Sequence, residues 1–128
     1  MSYYFSKIIS ITFDEAVDRV TKALSHEGFG VLSDIDVQAT LKKKLDVDFR
    51  RYRILGACNP DFAHKALLSE DKIGTMLPCN VVVQELDDEK IEVAAVDPIA
   101  SMSAVGNSEL VDIASQVQQK LKSVIEQL

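Results

Sequence analysis

The chain has 128 residues, 47% of them hydrophobic and 27% charged, and this composition predicts one folded domain over residues 1–128 and excludes a disordered chain. The formal net charge is −6, whereas nucleic-acid binders normally carry a basic excess, so we expect no DNA or RNA partner. No apolar run reaches the ~18 residues of a membrane helix, and the first residues lack a signal-peptide pattern, so we expect no membrane contact and a cytoplasmic location.

The first strand and helix have clear sequence signals. Residues Tyr3 to Ile11 alternate polar and apolar side chains, which predicts a strand. Thr12 and Glu15 form a capping box at the start of a helix whose apolar stripe continues to Leu24. Gly28 lies where the left-handed residue after a helix is expected, so the helix should end there.

The middle of the chain repeats this alternation. Strands are predicted over residues 29–35 and 50–57, and Asp36 can cap a short helix between them. Asn59 followed by Pro60 is a strong signal for the start of a third helix, because proline is favoured at the first helical position.

The last part of the chain predicts a hairpin and a long helix. Two β-runs, 81–86 and 90–96, are separated by three acidic residues, and a loop follows at Asp97-Pro98. Asn107 or Ser108 can cap a helix that continues to the C-terminus. The order β-α-β-α-β-α-β-β-α predicts a single compact α+β domain, a mostly antiparallel sheet with helices packed on it.

The two cysteines are the first candidates for chemistry. Cys58 lies between a strand and a helix N-terminus, which favours a thiolate for redox chemistry, sulfur transfer or metal binding, but it can equally be a small buried apolar residue. Cys79 opens the hairpin, and if it meets Cys58 the pair could form a reversible disulfide or share a metal. The cytoplasm is reducing, so free thiols are preferred over a permanent disulfide.

No metal site is predicted, because there is no Cys-x-x-Cys pair and both His26 and His64 are interpreted as solvated helix residues. Asp34 and Asp36 could together hold a hard cation, but a helix cap at Asp36 and a turn at Asp97 are the preferred interpretations. A local basic run could bind an anionic metabolite or an acidic partner, although such runs are usually solvated; it comprises Lys42, Lys43, Lys44, Arg50, Arg51 and Arg53.

Several segments together resemble the bacterial and archaeal family called domain of unknown function 302. They are Tyr52-Arg53-Ile54-Leu55-Gly56-Ala57-Cys58-Asn59-Pro60, Leu77-Pro78-Cys79-Asn80-Val81, Asp34-Ile35-Asp36-Val37, Gly28-Phe29-Gly30-Val31 and Asp97-Pro98. The resemblance spans nearly the whole chain. It implies a fold of the TATA-binding-protein-like, β-α-β type, often seen as a dimer, and it implies no activity, cofactor or substrate.

Three functional hypotheses follow. The first is an accessory module, as a homodimer, that binds a small ligand or a protein in a pocket near Cys58, Asn59, Asn80 and Asp97. The second is thiol-based redox, sulfur-transfer or metal-binding chemistry at Cys58 and Cys79. The third is a purely structural role for these motifs. The sequence does not identify a cofactor, ligand or substrate, and it does not decide whether the protein is an enzyme.

Overall fold

The computed structural model describes residues 2–128, so the first residue of the predicted domain lies outside the described part. Five strands form one sheet in the order β1-β5-β4-β3-β2, and every neighbouring pair is antiparallel. The predicted α+β class with an antiparallel sheet is therefore confirmed. The strands are β1 (Tyr4–Ile9), β2 (Gly30–Asp36), β3 (Tyr52–Cys58), β4 (Cys79–Glu85) and β5 (Ile91–Val96).

Five α-helices connect or follow the strands, and no helix within residues 2–128 is long and apolar enough to cross a membrane. Because β1 and β2 are the two edge strands, α1 has to pass from one edge of the sheet to the other. The helices are α1 (Phe13–His26), α2 (Val37–Leu45), α3 (Pro60–Ser69), α4 (Pro98–Met102) and α5 (Ser108–Glu126).

Helix α1 begins and ends at the predicted residues. The Thr12 hydroxyl accepts a hydrogen bond from the Glu15 amide at 3.2 Å, which is one half of the capping box. At the other end, Gly28 adopts φ +86°, and the amides of Gly28 and Phe29 donate to the carbonyls of Ser25 and Leu24. This is a Schellman motif, and it turns the chain directly into β2.

The main core lies between one face of the sheet and the helices α1 and α5. Inward strand residues such as Leu55, Val81 and Val93 are at most 1% exposed, and Val20 and Leu121 from the two helices are fully buried against them. A smaller cluster around Met102 and Leu110 joins α3, α4 and the start of α5. The apolar stripes of α1 and α5 therefore pack on the same face of the sheet.

Two helices differ from the sequence prediction. Helix α2 carries the expected apolar residues Val37, Leu41 and Leu45, but none of its residues is buried, and Leu45 is 66% exposed. The predicted loop after Asp97 contains the five-residue helix α4, because the Asp97 side chain accepts from the Ile99 amide at 3.0 Å and proline occupies the first helical position.

Gly56 is the tightest point of the sheet. A Cβ atom at this position would overlap Ser33 Oγ and approach Pro78 Cγ to 2.7 Å. The Ser33 hydroxyl is an exposed side-chain group that can rotate away, whereas the Pro78 ring is rigid. A Cβ atom at this position therefore requires the Pro78 ring to shift.

We predict that Gly56→Ala lowers the free energy of unfolding by about 1–3 kcal/mol, the usual cost of overpacking. Gly30→Ala is the matched control, since a Cβ there meets no atom within 4 Å. Urea denaturation followed by circular dichroism measures both variants. Equal stability of the two variants would contradict the close contact at Gly56.

Candidate functional site

The two cysteines lie at the same end of the sheet, and strand alternation points their side chains to opposite faces. Cys58 is the last residue of β3 and Cys79 the first of β4, and Ala57 and Cys79 are direct partners across the two strands. Both cysteines line the same cavity of about 30 Å³. This volume is room for about one water molecule, whereas sites for small organic ligands span roughly 300–1,000 Å³. The cavity is therefore too small for a metabolite.

The wall of this cavity is almost entirely apolar. Asn59 is the only lining residue with a polar side chain besides the two thiols; the others are Phe29, Ala57, Phe62, Ala63, Ala66, Leu77, Pro78, Met102, Ile113 and Val117. Two sulfur atoms and one amide leave a metal ion short of ligands. Among residues 2–128, no group of three or more His, Cys, Asp or Glu side chains is placed to hold a metal ion.

The two thiols have different surroundings. Cys79 is 7% exposed, and this burial, together with the nearby Cys58, raises the pKa of the Cys79 thiol to about 11. Cys79 is thus a protonated thiol at neutral pH. Cys58 is partly exposed and can be reached from solvent.

Asn59 has a structural role that the sequence did not show. It occupies the N-cap position of α3, but its side chain makes no capping hydrogen bond there. Instead, Asn59 Nδ2 donates to the carbonyl of Glu27 at 3.4 Å, beside Gly28. The side chain therefore connects the start of α3 to the end of α1, while Pro60 begins α3 as predicted.

Asn80 and Asp97 do not join the cysteines. Asn80 follows Cys79 in β4 and, because side chains alternate along a strand, it is exposed on the opposite face of the sheet. Asp97 caps α4 and also accepts a hydrogen bond from Gln118 Nε2 at 3.1 Å. Of the four residues expected around one pocket, the structure brings together only Cys58 and Asn59.

Asp34 and Asp36 both face Arg53 across the β2–β3 pair. Arg53 Nη1 lies 2.8 Å from Asp34 Oδ2, and Arg53 Nε lies 4.0 Å from Asp36 Oδ2. Asp36 also caps α2 by accepting from the Ala39 amide at 3.0 Å, as preferred from the sequence. Arg53 therefore compensates one of the two negative charges, mainly that of Asp34, while Asp36 is used as the cap of α2.

The predicted basic run is divided among different acidic partners. Lys42 pairs with Asp46 and Asp48, and Arg51 pairs with Asp14 at 2.8 Å. Arg53 is bound to Asp34, and Arg50 lies over the Phe49 ring, while Lys43 and Lys44 are exposed on α2. Three of the six cations face carboxylates, so the segment does not form one uncompensated positive surface.

The sheet has a second surface that the sequence analysis missed. Apart from the buried Gly56, no strand residue that points away from α1 and α5 is buried, and we call their surface the bare face; it consists of Tyr4, Ser6, Ile8, Gly30, Ser33, Ile35, Tyr52, Ile54, Gly56, Cys58, Asn80, Val82, Gln84, Glu92, Ala94 and Val96. Ile8 and Ile35 are 52% and 49% exposed. A groove of about 400 Å³ crosses this face.

All three tyrosines of the chain, Tyr3, Tyr4 and Tyr52, line this groove. Its floor is made of the small side chains of Val82 and Ala94. The sequence did contain a signal, because β4 and β5 each contain a run without alternation, Val81-Val82-Val83 and Val93-Ala94-Ala95-Val96. Such runs are typical of strands that are covered on both faces, although Asn80, Gln84 and Glu92 make the rest of the outward phase polar.

The raised pKa of Cys79 predicts a loss of stability at alkaline pH. The folded thiol keeps its proton up to about pH 11, whereas the unfolded thiol loses it near 9. The raised pKa contributes about 2 kcal/mol to the free energy of unfolding below about pH 9. This contribution disappears as the pH rises to about 11. Urea denaturation with a reductant at several pH values, for the wild type and Cys79→Ala, measures it. An identical alkaline loss in both proteins would contradict the prediction.

Comparison with known proteins gives a family and a fold. A crystal structure of an uncharacterized conserved protein DUF302 from Bacillus stearothermophilus superposes with a TM-score of 0.91 at 26% sequence identity, covering 99% of this chain and 98% of that one. No curated protein matches the sequence. The family model described as Domain of unknown function DUF302 matches residues 5–128. The resemblance inferred from the segments around Cys58 and Cys79 is thereby confirmed, and the chain belongs to the DUF302 family.

Proposed function

We propose that this protein is a cytoplasmic binding module that acts as a homodimer, and that two copies associate through their bare faces. The observation that carries the proposal is a sheet whose central strands place Ile54, Val82 and Ala94 on the face that α1 and α5 leave uncovered. A second copy supplies the missing cover.

The bare face has the composition of a protein interface. Tyrosine is enriched at interfaces because its ring buries a large apolar area while its hydroxyl keeps a hydrogen-bond partner. Tyr4 and Tyr52 lie near opposite corners of this face, on β1 and β3, with Val82 and Ala94 between them. Each copy therefore offers aromatic rings near two corners of the face and small side chains between them.

The charge on this face favours a second copy of the chain. Among the residues that define the bare face, Glu92 is the only charged one, and Gln84 Nε2 donates a hydrogen bond to its Oε1 at 2.9 Å. Lys7 and Arg53 are the basic residues of the strands, and both point to the opposite face of the sheet. Two such faces can therefore approach each other with one hydrogen-bonded carboxylate on each side.

The area is sufficient for a specific dimer. Five strands at roughly 4.8 Å spacing and about six residues in length form a surface of roughly 24 by 20 Å. Two copies would bury roughly 1,000 Å² in projection, which reaches the lower limit of specific interfaces before Tyr3 and the loops are counted.

Thiol chemistry is the second candidate function, and one observation favours it: Cys58 and Cys79 line the same cavity. Its metal-binding version has little support, because the cavity wall contributes no histidine or carboxylate. A small organic ligand is also a weaker proposal at this end of the sheet, since the cavity holds about one water.

We predict that the wild type sediments as a dimer at tens of micromolar and that Ala94→Arg weakens dimerisation at least tenfold. The reason is that the variant places an unpaired guanidinium at the centre of the bare face. Analytical ultracentrifugation measures the dissociation constant. Leu68→Arg is the matched control, because Leu68 is 76% exposed on α3 and lies outside the bare face.

Tyrosine fluorescence locates the interface. The chain has no tryptophan, and its three tyrosines all line the groove, so acrylamide quenching of their emission should fall as the protein concentration rises. A monomeric wild type, or a dimer that Ala94→Arg leaves intact, would overturn the proposal.

A further inference from the structure

The sheet ends in two edge strands, and they differ in their protection against pairing with another chain. Strand β2 has a bulge after Val31 and carries the carboxylates of Asp34 and Asp36. Bulges and charged side chains are the usual features by which an edge strand avoids pairing with a foreign strand. Strand β1 pairs with β5 in an unbroken register over six residues, and its sequence contains no proline and no acidic residue. The β1 edge is therefore the one that is open to a further strand.

The backbone of β1 directs hydrogen-bonding groups away from the sheet. The Asp97 amide donates to the Tyr3 carbonyl at 2.8 Å, so these two residues form a hydrogen-bonded pair at the end of the β1–β5 ladder. Hydrogen-bonded and non-hydrogen-bonded pairs alternate along an antiparallel ladder. The amides and carbonyls of Tyr4, Ser6 and Ile8 therefore point away from β5.

The surroundings of β1 agree with this direction and leave the edge accessible. The Tyr4 amide and carbonyl bond to the Ser2 hydroxyl, at 3.3 and 2.8 Å, and not to β5. Among the described residues, no side chain or loop backbone forms a hydrogen bond with the amide or carbonyl of Ser6 or Ile8. Ser6 is exposed and Ile8 is 52% exposed, so another chain can approach both residues from solvent.

We propose that the β1 edge is a second contact surface between copies of this chain, in which two β1 strands pair antiparallel around Ser6. The pairing joins two five-stranded sheets into one continuous sheet. Ser6 lies opposite Ser6 of the second copy, and Tyr4 lies opposite Ile8 of the second copy. The outward groups of these three residues then form about six hydrogen bonds between the chains, two for each hydrogen-bonded pair.

The side chains of β1 select this register and favour a second copy as the occupant. Lys7 is the only charged residue of the strand, and with Ser6 at the centre it lies opposite Phe5 of the second copy. Centring the pair on Lys7 would place two ammonium groups directly opposite each other, which is unfavourable. Centring it on Phe5 would leave the Ile8 groups beyond the end of the second β1 strand. Around Ser6, the aromatic Tyr4 meets the β-branched Ile8, a stabilising cross-strand pair.

This contact is distinct from the proposed bare-face dimer and weaker. It depends on backbone groups at one edge of the sheet, whereas the bare-face dimer depends on side chains of the outer face. Two short strands bury less area than a standard interface, so we expect a dissociation constant of about 0.2–1 mM. At tens of micromolar the edge contact therefore leaves the oligomeric state unchanged, and near the millimolar range it joins bare-face dimers to each other.

Amide hydrogen exchange, measured by NMR on the wild type, tests the contact directly. At about 50 µM the Ser6 and Ile8 amides should exchange freely, whereas the Phe5 and Lys7 amides, which point to β5, should be protected. At about 1 mM, exchange at Ser6 and Ile8 should slow at least twofold, since roughly half or more of the edges are then paired. Association through the bare face leaves these outer amides in solvent and does not produce this change.

Ser6→Pro removes the central donor of the edge contact. Proline is tolerated at an edge position whose N–H points to solvent, so the β1–β5 pairing is retained. Ser6→Ala is the matched control, because it removes the same hydroxyl and keeps the amide. In sedimentation at about 1 mM, the wild type and Ser6→Ala should form species larger than the dimer, and Ser6→Pro should weaken this association at least tenfold. Circular dichroism confirms that each variant is folded.

Val82→Arg separates the edge contact from the bare-face dimer. Val82 lies on β4, and β5 separates it from β1, so the added charge disrupts the bare face and leaves the edge intact. This variant should be a monomer at tens of micromolar and an edge dimer at about 1 mM. A dimer of Val82→Arg at tens of micromolar contradicts the bare-face proposal alone. The edge contact is overturned if the Ser6 and Ile8 amides of the wild type exchange equally fast at both concentrations, or if Ser6→Pro assembles like Ser6→Ala.

Discussion

The architecture depends on the unequal cover of the sheet. An antiparallel sheet has two faces, and α1 and α5 cover one of them. Helices α1 and α5 carry the long apolar stripes, and both pack on the face that contains Leu55, Val81 and Val93. The hydrophobic effect therefore buries half of the sheet and leaves the other half, with its tyrosines and valines, in contact with solvent. The largest apolar patch of a protein is often functional, which is why the bare face is more informative about function than any single polar residue.

The covered half is fixed by contacts at helix ends. Glu27, at the end of α1, connects three helices. Its carboxylate accepts hydrogen bonds from Ser123 and Gln127 at the end of α5. Its backbone carbonyl accepts a hydrogen bond from Asn59 at the start of α3. On the opposite side, Lys7 of β1 donates to the carbonyl of Leu128 at 2.5 Å, where a cation also interacts favourably with the C-terminal end of α5. These contacts align the ends of α1, α3 and α5.

Local signals in the sequence predicted the covered half well. Thr12, Gly28, Asp36 and Pro60 each mark the start or end of an element at the residue where the structure has it, because capping and left-handed turns are decided by a few neighbouring residues. Sites depend on which residues meet across the sheet, and that is set by strand order and register. The grouping of Asn80 and Asp97 with Cys58 was wrong for this reason, and only the β3–β4 pairing shows that Cys58 and Cys79 lie at the same end of the sheet.

The same pairing explains why conspicuous charged residues are poor guides to function in this fold. Asp34, Asp36 and Arg53 looked like two separate candidate sites, for a cation and for an anion, but the β2–β3 register places them side by side, where Arg53 pairs with Asp34. Lys42 and Arg51 pair with aspartates in a similar way. Lys43 and Lys44 stay exposed on α2, and two adjacent lysines are a weaker sign of a site than the tyrosine-lined groove on the bare face. Function is therefore expected at this groove, through contact area more than through charge.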